Sequence, residues 1–215
     1  MNFIEIPMEQ WVRKSHYEHY KNNVRCSYSV TVDIDVSNLT ARLKERELKA
    51  YPAQIYMLST VVNQFTKFRM TTNADGNLGY WEVIDPMYTV LNPSTETFSA
   101  VWTKYGRCFD TFYQAYLHDT AQYASGVLFP QEDTPSHVFN ISSVPWLDFT
   151  AFNVNVFSDG SYLLPIFTIG KYKMEGHKTL MPLAIQCHHA VCDGYHVGKF
   201  VVALRKMAAN PEQWL

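Results

Sequence analysis

The sequence predicts an α+β fold with a mixed, largely antiparallel sheet, carried by a single domain over residues 1–215. Three observations predict it. Short alternating apolar runs and helical apolar stripes are interspersed along the chain, several of the runs are joined by tight turns, and no Pro/Gly/Ser-rich linker divides the chain. Hydrophobic residues make up 47% of the chain and aromatics 15%, enough for a substantial core and for aromatic-lined pockets or a subunit interface besides.

Pro7 stands where a helix can begin, so Met8 to Tyr20 reads as a first helix with Arg13 and Lys14 in its first turns. Tyr28 to Val36 alternates as a strand, and Ser37 or Asn38 is placed to cap a helix through Leu39 and Leu43. Around that helix Arg42, Lys44, Arg46 and Lys49 alternate with Glu45 and Glu47, the pattern of a solvated face. Pro52 starts a third helix through Ile55, Leu58, Val61, Val62 and Phe65, whose stripe predicts one buried face. Arg69 to Thr72, the turn Asn73 to Asn77, and Gly79 to Ile84 read as a hairpin. Strands at Met87 to Leu91 and Thr97 to Trp102 follow, and Phe109, Phe112, Tyr116 and Tyr123 are spaced for another helix. Residues 125–140, with Pro130 and Pro135, read as an irregular surface segment, and Ile141 to Trp146 follows it. Further strands are expected near Phe152 to Phe157, Leu164 to Tyr172 and Thr179 to Cys187, the last two joined across Glu175 to His177. The final helix runs from about Gly194 to Met207.

Composition narrows the partners. A net charge of −2 gives no reason to expect nucleic acid or an anionic membrane surface. The N-terminus lacks the charged and apolar blocks of a signal peptide, and no apolar run approaches membrane-spanning length. Cysteines 26, 108, 187 and 192 show no framework spacing, so reduced thiols in a cytoplasmic protein are expected.

Chemistry concentrates in Gln186-Cys-His-His-Ala-Val-Cys-Asp-Gly-Tyr-His-Val197, where an apolar strand gives way to a helical pattern. Adjacent strand residues point to opposite faces, so His188 and His189 cannot both enter one site; one holds structure while the other faces a cleft. A neutral imidazole there is a suitable proton acceptor near pH 7, provided a donor for the developing oxyanion is near. Asp193 is placed either to orient His189 or to pair with an arginine and fix the loop, and spacing favours neither. Gly194 permits a tight backbone step. His196, on the last helix, reads as structural or surface-facing. Metal binding is the rival, but a strand sends the two histidines apart and the spacing lacks the His-x3-His face of a zinc helix. Cys192 as a nucleophile has no supporting feature, and a buried packing thiol is the commoner fate of such a residue.

His188-His189-Ala-Val-Cys-Asp193-Gly194 resembles the His-His-x-x-x-Asp-Gly signature of coenzyme A-dependent acyltransferases. Together with Tyr195-His196-Val197 it resembles the chloramphenicol acetyltransferase family in particular. The same resemblance extends to Trp11-Val-Arg13-Lys, Tyr51-Pro-Ala, Phe68-Arg-Met70, Glu96-Thr-Phe-Ser99 and Asn140-Ile-Ser142 with Pro145-Trp146. It continues through Phe152-Asn-Val-Asn155 and Pro165-Ile-Phe-Thr168-Ile-Gly-Lys-Tyr172, covering residues 11 to about 202. It departs at Cys187, Val154 and Tyr195, where valine, leucine and phenylalanine are more usual; a smaller residue at 154 bears on the acceptor pocket.

The resemblance implies a two-layer α/β sandwich assembled as a homotrimer, with active sites between subunits. It implies acetyl transfer from acetyl-CoA to the 3-hydroxyl of chloramphenicol in a ternary complex, hence antibiotic resistance, without a metal or an acyl-enzyme. In it His189 is the general base, Ser142 donates to the tetrahedral oxyanion, and Thr168 supports that intermediate through water. Asp193 pairs with Arg13 to hold the site; Tyr20, Tyr28, Phe98 and Val154 line the antibiotic pocket; Trp146 and Tyr172 lie near the coenzyme channel. Each has a plainer reading: Ser142 as a turn residue, Thr168 as an ordinary strand threonine, Arg13 as a solvated helix residue, the aromatics as core. An acetyltransferase of the same fold acting on another hydroxyl compound is the nearest alternative, and a protein sequestering an apolar ligand is the non-enzymatic one.

Overall fold

A computed structural model of the chain describes residues 1–156 and 161–215. A short strand β1 (Phe3–Glu5) leads into a 3-10 turn (Met8–Gln10), helix α1 (Lys14–Glu18) and a wide π turn (His19–Asn23). Strand β2 (Ser27–Asp35), helices α2 (Ser37–Glu45) and α3 (Ala50–Gln64), and strands β3 (Met70–Thr72) and β4 (Leu78–Trp81) follow. Then come β5 (Asp85–Asn92), β6 (Thr97–Trp102), α4 (Phe109–Tyr123), β7 (Val138–Val144), β8 (Ile166–Gly170), β9 (Lys173–Glu175), β10 (Lys178–His188) and α5 (Gly194–Ala209).

The large sheet has the order β2-β10-β8-β7-β5-β6, with β9 also pairing β10. β7 runs parallel to both β5 and β8, and the remaining pairs are antiparallel, which makes the sheet mixed and mostly antiparallel. A second sheet, β1-β4-β3, is small. Its approach to β1 is possible because residue 79 is glycine: a Cβ there would run into the Phe3 ring and the Ile4 carbonyl.

One face of the large sheet carries the helices. Ile141, Phe167 and Ile185 lie side by side in register on that face, and all are buried. Phe200 of α5 stacks on Phe167 (ring centroids 5.3 Å) and on Phe68 (4.7 Å), so this ring ties α5 both to the sheet and to the turn that follows α3. Burying one such side chain stabilises the fold by about 1.5–3 kcal/mol. Ser142, Thr168 and Ala184 share the neighbouring register line and project from the opposite face.

Several expectations change in three dimensions. The first helix is broken: the 3-10 turn ends at Gln10, Trp11 is extended (φ −83°, ψ 116°), and α1 begins only after Arg13, whose guanidinium bonds Asp193, 180 residues away. Neither Ser37 nor Asn38 supplies a capping side chain to α2; the Asp35 carboxylate accepts from the Ser37 N–H instead, at 3.1 Å. Helix α3 is buried almost all round, Pro52 through Ser59 without a break, because it is packed against α4, α5 and β5 together. The strand expected at Phe152–Phe157 is absent over residues 152–156, and Phe157 lies outside the described residues. Both edges of β10 at Gln186 are already occupied, by Ser29 and by Ile166, so the Val154 N–H bonds to the Gln186 side chain (3.2 Å) in place of a ladder. Gly194 has neither a left-handed φ nor any neighbour a Cβ would meet, so the strand-to-helix step does not require glycine.

Candidate active site

β10 ends at His188, and the chain turns at once through His189, Ala190 and Val191 into α5. The two histidines separate as adjacent residues must. His188 is buried, its Nδ1 accepts from the Ala190 N–H (3.2 Å), and burial pushes its pKa down to about 4, so it is a neutral element of the turn. His189 emerges past the strand with about a third of its side chain exposed. Its backbone N–H donates to the Cys26 carbonyl (2.8 Å), and its ring stacks on Tyr20 with centroids 4.0 Å apart and planes 12° off parallel. Tyr28 leans on the same ring at 5.4 Å while its phenol donates to the Cys192 carbonyl (3.2 Å), and burial raises the pKa of that phenol well above its ordinary value.

Asp193 closes the turn. Both its oxygens accept from Arg13, at 2.5 and 2.9 Å, in the paired-fork geometry that matches a guanidinium to a carboxylate. That hydrogen bond and charge hold the Asp193 carboxyl below its ordinary pKa. The same carboxylate lies 3.3 Å from His189 Nδ1, which is buried and has no hydrogen-bond partner among the described residues. Asp193 thus anchors Arg13 by direct hydrogen bonds and faces the imidazole electrostatically without a well-aligned bond. Its backbone N–H donates to His196 Nδ1 at 2.9 Å.

Ser142 and Thr168 form a second group. They are register partners on the parallel strands β7 and β8, and their hydroxyls are 2.9 Å apart. Thr168 is almost fully buried, while Ser142 contributes to the wall of an open cavity of about 900 Å3. Phe98, Trp146 and Tyr172 line the same cavity, and its surface is mostly apolar. Phe98 and Trp146 are about half exposed or more, 46% and 62%. The Tyr172 phenol is held by Gln54, whose amide donates to it at 2.5 Å. Gln54, Tyr51 and Lys171 complete this wall and were not singled out as binding residues from the sequence. A lone buried glutamine among the apolar positions of α3 was the available signal.

The expected pocket residues are therefore divided. Tyr20 and Tyr28 sit on His189, Val154 sits beside Gln186, and Phe98 stands with Ser142 at the cavity. Within one chain the two groups are far apart. Ser142 pairs with Thr168, Thr168 with Ala184, and His188 lies four residues further along β10. Two strand spacings across and four residues along put the Cα atoms of Ser142 and His188 about 16 Å apart. Among the described residues no three His, Cys, Asp or Glu side chains are grouped as a metal ligand set, and no helix is long and apolar enough to cross a membrane.

The family profile described as chloramphenicol acetyltransferase matches residues 1–205. A chloramphenicol acetyltransferase of Bacillus pumilus is 49% identical, over 96% of this chain and 94% of the relative. One of Clostridium butyricum is 44% identical, over 100% of this chain and 99% of the relative. Among solved structures, a chloramphenicol acetyltransferase superposes with TM-score 0.85 at 20% identity, covering 96% of this chain and 100% of its own. The Azotobacter vinelandii dihydrolipoamide acetyltransferase superposes at 0.70 and 16% identity, covering 93% and 87%. At those identities the structural matches speak to the fold, a two-layer acyltransferase fold, and the sequence matches to the family.

Proposed function

The chain belongs to the chloramphenicol acetyltransferase family and is an acyltransferase, and from that premise we propose that it acetylates the 3-hydroxyl of chloramphenicol with acetyl-CoA and so confers resistance. The observation that carries the proposal is the setting of His189: about a third exposed to solvent, stacked, and held at a turn pinned by the Arg13–Asp193 fork. With its proton on Nδ1, toward Asp193, the imidazole leaves Nε2 free to accept.

The steps follow from these groups. His189 Nε2 takes the proton of the acceptor hydroxyl as its oxygen attacks the thioester carbonyl. The Ser142 hydroxyl donates to the oxyanion of the tetrahedral intermediate, with Thr168 behind it donating to the Ser142 oxygen and so fixing its rotamer. Collapse expels the coenzyme thiolate, which recovers the proton from His189. No covalent acyl-enzyme is required, and both substrates occupy the site together. Tyr20, Tyr28, Phe98 and Val154 bound the acceptor; Trp146 and Tyr172 bound the coenzyme, in the cavity beside Ser142.

With the Cα atoms of Ser142 and His188 about 16 Å apart and His189 one residue further on, the imidazole and the serine hydroxyl of one chain do not reach the same carbonyl, so the site is completed by pairing His189 of one copy with the Ser142 cavity of another. The roughly 16 Å separation, together with the exposed Phe98 and Trp146, supports a homo-oligomer, which we take to be a trimer of single-domain chains over residues 1–215. Four unpaired cysteines suit a reducing cytoplasmic setting.

The test is acetyl-CoA-dependent release of free thiol in the presence of chloramphenicol, with other alcohols as competing acceptors. The wild-type chain is expected to prefer chloramphenicol, and His189→Ala to abolish release while still binding coenzyme. Normal turnover by His189→Ala overturns the catalytic assignment, and preference for another alcohol overturns the substrate.

A further inference from the structure

The sequence left His196 as a structural or surface residue, yet its ring closes the turn that carries Asp193. The N–H groups of His196 and Val197 donate to the Asp193 carbonyl, at 2.9 and 3.1 Å, and open α5. In return the Asp193 N–H donates to His196 Nδ1 at 2.9 Å. The arrangement is reciprocal, like the helix-start device in which a side chain three residues into the helix reaches back to the first residue's N–H. Glutamate or glutamine normally fills that position. A glutamate here would put a second carboxylate beside Asp193, whose own charge is taken by Arg13. An imidazole accepts the N–H while staying neutral.

We propose that His196 is a positioning residue for the acyl transfer: its uncharged Nδ1 holds the Asp193 backbone, and through it the Arg13–Asp193 fork that faces His189. This rests on the reading of His189 as the base. A proton on Nδ1 of His196 removes the only lone pair that can accept the Asp193 N–H, so the ring must be neutral with its proton on Nε2. The groups facing it favour that state. Burial is the largest influence lowering its pKa, and Arg13, Lys67 from the turn after α3, and Lys199 on α5 lower it further; Asp193 alone among its charged neighbours opposes them.

Four proteins decide it: wild type, His196→Ala, His196→Gln and His196→Glu, each measured for kcat and for both KM values beside His189→Ala. Loss of the acceptor in His196→Ala is expected to lower kcat about tenfold with KM values within about twofold, since the ring touches neither substrate. His196→Gln, a neutral acceptor, is expected to recover to within about threefold of wild type, and His196→Glu, which competes for Arg13, is expected not to. Unchanged kcat in His196→Ala, or equal recovery by Gln and Glu, overturns the proposal. If His189→Ala is dead while His196→Ala turns over normally, only this inference fails; if His189→Ala stays active, the reading of the base fails first. Should His196→Ala not fold, nitrogen NMR of the wild-type ring still decides: an Nε2–H tautomer near pH 7 supports the proposal, and an Nδ1–H or doubly protonated ring overturns it.

Discussion

At the end of β10 His189 is restrained from several directions: its ring is stacked by Tyr20, flanked by Tyr28 and faced by a carboxylate that Arg13 holds, and its backbone N–H donates to the Cys26 carbonyl. Around Ser142 the chain does the opposite, leaving about 900 Å3 open between α3 and the ends of β7 and β8, with apolar walls and few polar handles. The contrast separates two tasks. On the reading proposed above, the first task is that of a base, which must be pre-oriented because each wrong rotamer or tautomer is an unproductive state, and the second is that of a pocket for coenzyme and acceptor, which needs room and apolar surface. Placing the two on parts of one chain that do not meet lets each be built without compromise. On that same reading, the site is complete only in the assembly.

The largest effect that would break this comparison comes from mixing two inactive chains. His189→Ala lacks the base, and Ser142→Ala, missing one oxyanion donor, should fall on the order of a hundredfold in kcat. If the halves belong to different copies, co-assembling the two variants restores about a quarter of the sites by random pairing. Activity no greater than the sum of the separate variants would mean that both groups act within one chain.

A smaller effect sharpens the restrained half. Arg13→Ala leaves the half-buried Asp193 without its fork and should cost about 1 kcal/mol in urea unfolding along with most of the turnover. Unchanged stability with full activity would show that Asp193 needs no anchor. Gentlest of all is a change in how melting depends on pH. His188 in the folded chain has its pKa at about 4, below the ordinary value of about 6.5, so between those pH values the unfolded chain holds a proton that the folded one does not. Stability therefore falls as pH drops through that window. Asp193, shifted downward, gives stability that is lost only below the ordinary carboxylate pKa of about 3.9, so the two contributions separate. His188→Asn keeps an acceptor for the Ala190 N–H but does not titrate, and the melting temperature should vary less between pH 6.5 and 4.5 than in wild type. An unaltered slope would place the acid sensitivity elsewhere.

How much of this could be read from the sequence depended on how local the cause was. Helix α4 spans Phe109–Tyr123 as its aromatic spacing predicts, and β10 and α5 lie where the apolar run and the Val197, Phe200, Val201, Leu204 stripe place them. Those elements follow from periodicity, a property of neighbouring residues. The alternation of His188 and His189 was equally legible, because a strand leaves no other option. The continuous helix expected over residues 8–20 is interrupted at Trp11, which is extended, and the periodicity of those residues does not encode that break. The strand expected near residue 152 does not form over residues 152–156, because β10 at Gln186 is paired on both edges and offers none to it.

By itself, then, the sequence determined the family, the mixed α+β order of elements, and the presence of a histidine at a strand end beside an Asp-Gly step. Short-range patterning and a long run of matching motifs are enough for that. Only the tertiary structure decided that Asp193 grips Arg13 through both oxygens while facing His189, that Tyr20 lies flat on that ring, that His196 turns inward to the Asp193 backbone, and that the Cα atoms of Ser142 and His188 stand some 16 Å apart in the same chain. Each of these depends on register across strands or on contacts between residues more than a hundred positions apart, or on which way a ring faces. No spacing along the chain encodes those directly.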